Sequence, residues 1–239
     1  NGISIELFAK GSVLAPDMGK GSSYWHKDHT EYYSRMPAHN TVVVNGISDY
    51  EPMRSHHPFH LENSFPKTGE TPIFDQVTFS NVSFVEPKTK ARQLRFTSLI
   101  KGPSGAGYVV DVFRSRKPGS DGQRHDYFYH NLGAELKISS NEEVLKLEDT
   151  EDLGSHQGDL KAYDYLTEKK KLTTAKAVRV NFSLTAEDGT SDLMEVWVKG
   201  SADQTLYSAM APKSKAITSG TSPKELLNKM IYMMKEFYP

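Results

Sequence analysis

Short segments in which apolar and polar residues alternate recur along the chain, with turn residues between them. A period of two is typical of a β-strand with one buried face. Nine segments show it: "ISIELFA", "TVVVNG", "NVSFVE", "QLRFTSLI", "GYVVDVFRS", "HDYFYHNLG", "ELKIS", "AVRVNFSLTA" and "LMEVWVKG". Glycine-, proline- and aspartate-rich stretches such as "KGPSGAG" and "KPGSDG" punctuate them as turns. The pattern predicts an all-β fold, a large antiparallel β-sandwich of the supersandwich type.

Two stretches depart from this alternation. Residues 48–75, which include "SHHPFH", form the longest stretch without a strand pattern, and irregular loops of that length are often functional. Near the C-terminus, Ser222 and Pro223 resemble a helix start. We therefore expect one or two helical turns there, followed by a final strand through "MIYMM", and at most a short helix in the whole fold.

Composition narrows the class of protein. The 239 residues suffice for one large domain, and we treat residues 1–239 as one β-sandwich domain. A net charge of -1 argues against strong overall attraction to nucleic acid, and no apolar run approaches the ~18 residues of a membrane span. The absence of cysteine excludes disulfides, thiolate metal sites and cysteine nucleophiles. The chain begins without methionine, which predicts a processed or excised segment.

The segment "RMPAHNTVVVNG" places a histidine and an asparagine directly before a run suited to a buried strand. Thr41 to Val44 are β-branched, and Asn45-Gly46 favours a tight turn. His39 is therefore expected at the mouth of a strand. Such a histidine can be a metal ligand, a catalytic group, or an ordinary hydrogen-bonded residue.

Other histidines could join His39 in a metal site. His125 and His130 lie in "RHDYFYHNLG", and Glu86 and Asp126 are candidate carboxylate partners. A zinc-type ion takes imidazole nitrogen and carboxylate oxygen, and neighbouring strands can supply both. Alternation along one strand would nevertheless point His125 and His130 to opposite faces. The alternative is that these histidines are hydrogen-bonded at strand ends; a rival metal cluster is His56, His57 and His60.

A cationic strip is the second candidate. In an extended "EPKTKARQLR", Lys88, Lys90 and Arg92 would share one face, and Arg95 would lie on the other. Such a strip could bind the carboxylates of an acidic polymer. It could equally protect an edge strand from aggregation.

Tyrosines are the third candidate, because several occur near the histidines in sequence. A tyrosine beside a cation can act as acid and base, and tyrosines also form platforms on which sugars stack. The alternative is a core ring with a satisfied hydroxyl group. The residues concerned are Tyr24, Tyr32, Tyr33, Tyr108, Tyr127 and Tyr129.

Four of these motifs, taken in order, carry a resemblance to a known family. They are "APDMGKGSSYWHKDHTEYYSRMPAHNTVVVNG", "FVEPKTKARQLR", "GYVVDVFRSR" and "RHDYFYHNLG". Together they resemble the C-terminal β-domain of heparinase II/III-like polysaccharide lyases, nearest the alginate or oligoalginate lyase branch. The resemblance implies an N-terminal α/α toroid upstream of Asn1, a substrate cleft between the two domains, and β-elimination at a uronic acid. This fragment alone would then be inactive.

The resemblance also implies site residues. A divalent metal, usually zinc, with a structural or substrate-positioning role would be held by His39, Glu86 and His125, with His130 as the fallback for the last. Glu86 stands where the family has aspartate. Tyr108 matches a catalytic, substrate-facing tyrosine, and Arg92 or Arg95 matches an arginine on the preceding strand.

Lys88, Lys90 and His130 would add substrate contacts in this picture. The implied ligand is an acidic polysaccharide or oligosaccharide, with no nucleic acid partner, and the implied location is periplasmic or secreted. Two alternatives stay open at this point. One is a non-catalytic carbohydrate-binding or structural β-sandwich, and the other is a cupin-like metal enzyme, which would need paired histidines on one strand.

Overall fold

A computed structural model describes most of the chain. The described residues are 2–9, 12–49, 58–119, 123–133, 135–154, 158, 160–185, 191–202, 204–214 and 230–237. They contain three short helical turns: one turn of π-helix at His29–Tyr33 and 3-10 turns at Met36–Ala38 and Lys161–Tyr165. Within these residues no helix is long and apolar enough to cross a membrane.

Strands make up the rest of the regular structure, as the alternation predicts. In chain order they are β1 (Leu7–Ala9), β2 (Ser12–Ala15), β3 (Val42–Val44), β4 (Phe59–Phe65), β5 (Val77–Val85), β6 (Arg92–Lys101), β7 (Gly107–Arg116), β8 (His125–Leu132), β9 (Glu135–Ser140), β10 (Glu143–Leu145), β11 (Glu148–Asp149), β12 (Thr167–Thr173), β13 (Val178–Thr185), β14 (Ser191–Val198), β15 (Gln204–Met210) and β16 (Met230–Phe237).

These strands form four antiparallel sheets. A six-stranded sheet has the order β11-β12-β15-β16-β8-β3, and two four-stranded sheets have the orders β10-β9-β13-β14 and β4-β5-β6-β7. Strands β1 and β2 form a small separate ribbon.

The six-stranded sheet is the middle layer. On one face Tyr129 packs in a cluster with Ile138 and Phe182 of the β9–β13 pair. Its neighbour in sequence, Phe128, therefore points to the opposite face, where it packs with the helical turns and with Phe84 of β5. The all-β sandwich prediction is confirmed.

Several local predictions need correction. Part of the stretch expected to be irregular forms β4, because Phe59–Phe65 pairs along β5. The segments "TEKKKLT" and "QTLYSAM" show no clear apolar alternation, yet they form β12 and β15, which pair with each other. The final strand is confirmed as β16, whereas the helical turns expected after Ser222 lie outside the described residues.

Candidate functional site

His39 lies at the end of the 3-10 turn that precedes β3, so its predicted place at a strand mouth is confirmed. Its ring is 1% exposed, so it does not open onto a groove. Nδ1 lies 2.7 Å from Oδ2 of Asp17, and Nε2 lies 3.1 Å from the carbonyl oxygen of Tyr33. Both ring nitrogens of this buried imidazole therefore have a hydrogen-bond partner, and the contact with Asp17 ties the motif to the N-terminal segment.

Asp17 is the member of this pair that reaches the surface, since 28% of its side chain is exposed. Its Oδ1 accepts a hydrogen bond from the Gly19 amide at 2.8 Å. Burial acts to raise the pKa of Asp17, but the hydrogen bond and charge interaction with His39 outweigh it and lower that pKa below 3.8. The aspartate is therefore ionised at neutral pH.

Asn40 explains why an asparagine follows the histidine. Its Nδ2 donates to the carbonyl oxygen of Ile5 at 2.9 Å, and its Oδ1 accepts from the backbone amide of His130 at 2.6 Å. Its own carbonyl oxygen accepts from Nη1 of Arg95 at 2.5 Å. One buried residue therefore joins the N-terminal segment, β6 and β8. The motif indicated that something specific was needed here, but the partners are too distant in sequence to infer.

Arg95 was predicted to contact substrate, and its hydrogen bonds argue against that role. Nε and Nη2 form a fork onto the carboxylate of Asp111 at 2.8 and 2.7 Å. Nη1 donates to the Ile3 and Asn40 carbonyl oxygens, and Nη2 also donates to the Tyr127 hydroxyl. Arginine has five N–H donors, and all five are used. The side chain is 1% exposed and serves the scaffold.

Glu86 was predicted as the middle metal ligand, but it organises a turn instead. Its Oε1 accepts from the backbone amides of Asp49 and Lys88 at 3.0 and 2.9 Å. Its Oε2 accepts from the amide of Thr89 at 2.5 Å and from the hydroxyl of the same residue. The carboxylate is fully buried, and these four bonds fix the β5–β6 connection.

That connection also corrects the cationic strip. Residues 86–91 form a turn, with Lys90 at φ 61°, so Lys88 and Lys90 do not share a strand face with Arg92. Pro87, a common turn residue, could have indicated this from the sequence. Arg92 and Arg95 do lie on opposite faces of β6, as predicted.

His125 and His130 are both buried in β8, whose register with β16 is unbroken from end to end. They therefore point to opposite faces, as predicted, and cannot serve one site. Burial lowers the pKa of His125 to about 4 and that of His130 to about 3. The sequence predicted a substrate contact for His130. Its side chain is 0% exposed and cannot make that contact. Asp126 is engaged by Arg124 at 2.6 Å and by the Tyr163 hydroxyl at 2.5 Å.

The predicted zinc ligands do not fit a shared ion. Both ring nitrogens of His39 already have hydrogen-bond partners, and the oxygens of Glu86 are bonded to donors of the turn. Nε2 of His125 lies 3.1 Å from Oε1 of Gln123. Within the described ranges, no three histidine, aspartate or glutamate side chains are grouped to hold a metal ion. His60 is exposed on β4, and His56 and His57 lie outside the described residues. The zinc site stays a prediction that metal analysis can test.

The tyrosines separate into buried and exposed groups. Tyr32, Tyr33 and Tyr129 belong to hydrophobic clusters, and burial raises the pKa of Tyr33 to about 12. Tyr24 and Tyr108 are 51% and 61% exposed. Tyr108 lies opposite Ile100, next to the turn that connects β6 and β7. Its catalytic role stays a prediction.

A surface pocket of about 200 Å³ combines cationic and acidic side chains and is a candidate ligand site in the described chain. It lies between the helical turns His29–Tyr33 and Lys161–Tyr165 and the β5–β6 turn. Cations and carboxylates share its lining, which consists of Thr30, Glu31, Arg35, Asp49, Lys88, Leu160 and Lys161. Typical ligand pockets start at ~300 Å³, so this one has room for a single sugar unit or its acidic group.

The charges around this pocket are partly neutralised. Arg35 forms an ion pair with buried Asp49, and Glu31 lies 3.6 Å from the ammonium group of Lys161. Glu31 also accepts a hydrogen bond from Tyr165 at 2.9 Å. Lys88 has no ion-pair partner among the described residues. The pocket therefore offers Lys88 fully, and Lys161 in part, to an incoming anion.

Comparison with known proteins gives one informative relative. No family model matches the chain. An endo-acting ulvan lyase from Formosa agariphila is 28% identical over 239 aligned positions, which cover 93% of this chain and 29% of that protein. The chain thus spans less than a third of the relative's length. The similarity supports a relationship to polysaccharide lyases. It does not show membership of the heparinase II/III-like group or of its alginate branch.

Proposed function

We propose that this chain is the β-sandwich domain of a polysaccharide lyase that cleaves a uronate-containing polysaccharide by β-elimination. The observation that carries the proposal is the similarity to an ulvan lyase along 93% of the chain. Membership of the heparinase II/III-like group, a toroid upstream of this domain, and a periplasmic or secreted location belong to the same proposal. The cation-lined pocket supports a substrate-binding role for the domain within this proposal.

The reaction needs three things from the whole enzyme. A base removes the proton next to the uronate carboxylate, an acid protonates the departing oxygen, and positive charge stabilises the enolate that develops. The buried residues His39, His125 and His130 have no accessible surface from which to act as the acid or base. We therefore place the proton transfers outside these residues, in the upstream domain.

The cations of the pocket can supply the positive charge that stabilises the enolate. Lys88 and Lys161 lie on two separate segments that line one opening, and we propose that a carboxylate bound there contacts both ammonium groups. The backbone of Lys88 is held in place because Glu86 accepts a hydrogen bond from its amide. Positive charge placed where negative charge develops stabilises an anionic transition state.

The test uses the full-length protein that contains this chain and a panel of ulvan, alginate and glycosaminoglycans. Lyase activity appears as ultraviolet absorbance of the unsaturated uronate product. We expect activity on at least one uronate polymer and a KM at least tenfold higher for the Lys88→Gln/Lys161→Gln variant. The control, Lys137→Gln/Lys176→Gln, removes two exposed lysines from the opposite sheet and should leave KM unchanged. Absence of product across the panel would refute lyase activity.

A non-catalytic carbohydrate-binding domain is the second candidate. The observation that favours it is the burial of all three histidines singled out for chemistry. It predicts retention of the protein by uronate polymers with no unsaturated product from any of them. The same panel therefore separates the two functions.

A further inference from the structure

We infer that Arg92, Arg114 and Arg116 form a second binding surface for acidic polysaccharide, outside the pocket. This inference rests on the proposed function, which it extends by naming where a longer polymer chain would be held. Arg92 lies directly opposite Arg116 across the β6–β7 pair, and Leu94 lies opposite Arg114. Residues two apart on a strand share a face, so the three guanidinium groups lie together. We call them the arginine triad.

The triad lies on the outer face of the sheet. The alternate residues of β6, Gln93 and Arg95, point the other way and donate to the backbone carbonyl oxygens of Val42 and Asn40 beneath the sheet. The three triad side chains are all exposed. They are thus free to meet a ligand that approaches from solvent.

Like charges directly opposite each other destabilise a strand pair. The presence of Arg92 opposite Arg116 therefore calls for a compensating interaction. None of its members forms an ion pair with the described residues. Arg179, a cross-strand arginine on β13, shows the usual compensation: Glu195 lies 3.6 Å away and the Trp197 ring lies 4.5 Å from the guanidinium carbon. Within the described residues the triad has no such partner, which fits a partner supplied from outside.

Protection of a sheet edge does not account for the whole arrangement. Strand β7 is the edge of its sheet, and charge on an edge strand discourages aggregation. That explanation covers Arg114 and Arg116. It does not cover Arg92, which lies on β6 between two paired strands.

The surroundings favour an acidic, partly apolar ligand. Val85, 54% exposed, lies opposite Arg92, and Val112, 41% exposed, precedes Arg114 on the same face. A carboxylate near this face, that of Glu62, accepts a hydrogen bond from Ser83 of β5, two strands from β7. Arginine binds carboxylate and sulfate groups as a planar fork. An acidic polysaccharide presents repeated groups of that kind on an apolar sugar frame.

The triad also continues the pocket. Lys88 lines the pocket and lies in the turn that leads directly into Arg92, with exposed Lys90 between them. A polymer whose acidic group occupies the pocket can therefore extend over this end of the sheet. Several weak contacts along one chain multiply its affinity.

The test is affinity electrophoresis of the full-length protein in gels that contain ulvan, alginate or neutral dextran. We expect retardation by an acidic polymer only, weakened by salt, and at least tenfold weaker binding for Arg92→Gln/Arg114→Gln/Arg116→Gln. The matched control, Lys137→Gln/Lys146→Gln/Lys176→Gln, removes the same charge from exposed lysines on β9 and in the connections after β10 and before β13, and it should bind like wild type. Conservative Arg→Lys replacement of the triad should restore part of the loss, because the charge returns without the fork.

Three results would overturn the inference: equal binding by the triad and control variants, equal retardation by dextran, or equal binding of single-stranded DNA with the same loss. The last would mean general polyanion binding. Kinetics separate this inference from the proposed function. If the protein is a lyase, the triad variant should raise KM for polymer much more than KM for short oligosaccharides, which are too short to reach the triad. If the protein is not a lyase, the electrophoresis still shows whether the arginine triad binds acidic polysaccharide.

Discussion

The buried Arg95–Asp111 pair provides the sharpest test of the reasoning, because substrate contact and scaffold predict different results. The perturbation is Asp111→Asn, which keeps the side-chain size and removes the charge. Arg95 is 1% exposed and Asp111 17% exposed at the ion pair, so the guanidinium would lose its countercharge in a nearly dry environment. Its two fork bonds to Asp111 would both be weakened.

The magnitude follows from this burial. Removal of one partner from a fully buried ion pair costs ~3–5 kcal/mol. Asp111 retains some contact with solvent and asparagine keeps one acceptor, so we expect about 3 kcal/mol here. In a chain of this size each kcal/mol lowers the melting temperature by ~2–4 °C, which gives about 6–12 °C in total. Tyr127 would lose its 2.6 Å bond to Asp111 in the same change.

The assay is urea unfolding with thermal melting, applied to wild type, Asp111→Asn, Asp111→Leu, Arg95→Met and the double variant Arg95→Met/Asp111→Leu. The double variant should be more stable than the sum of the single changes predicts, because no charge is left buried alone. Glu135→Gln, at an exposed pair with Lys137, controls for removal of a carboxylate. Asp111→Asn with wild-type stability and a raised KM would refute the scaffold role and restore Arg95 as a substrate contact.

Two further predictions concern stability. Glu86→Ala should lower the free energy of unfolding by ~2–4 kcal/mol, since four turn donors lose their acceptor; urea unfolding checks this, and an unchanged midpoint would contradict it. Lowering the pH should destabilise the fold, because His125 and His130 have folded pKa values of about 4 and 3 against 6.5 in the unfolded chain. Both rings stay neutral in the folded protein, whereas they gain a proton in the unfolded chain below pH 6.5. Their contribution to the free energy of unfolding is therefore complete above pH 6.5 and is lost as the pH falls toward the folded pKa. Between pH 7.5 and 5.0 each histidine should lower that free energy by about 2 kcal/mol. Equal unfolding free energies at the two pH values would contradict this.

Local pattern predicted most of the fold. Strands with β-branched or aromatic alternation, such as β3 and β7, were recognised because their own residues favour an extended conformation. Strand β12 was missed because its sequence "TEKKKLT" is dominated by lysine. Its conformation comes from pairing with β15, which is information held outside the segment. Strand β4 was likewise not predicted, because its conformation comes from pairing with β5.

The candidate site was less predictable, because its contacts join residues far apart in sequence. His39 could be singled out, but its partner Asp17 lies 22 residues upstream and carries no local signal. The cationic strip failed for a local reason: the buried carboxylate of Glu86 bends the chain into a turn, and parity arguments hold only along an unbroken strand. Parity did hold for Arg92 and Arg95, where β6 is continuous.

The end of β3 shows why the asparagine of the motif belongs to the scaffold. The backbone pairing of β3 with β8 covers only Val42 to Val44, and the carbonyl oxygen of Thr41 adds one bond to the Phe128 amide at 2.8 Å. Beyond that point the amide of His130 is buried and needs an acceptor, and the side chain of Asn40 supplies it. Asn40 therefore extends the ladder with its side chain where the backbone turns away. Because its amide nitrogen also holds Ile5, a residue with only an acceptor or only a donor could not replace it. The motif residues thus hold the sheets in place, and contact with a ligand falls to the exposed cations that those sheets carry.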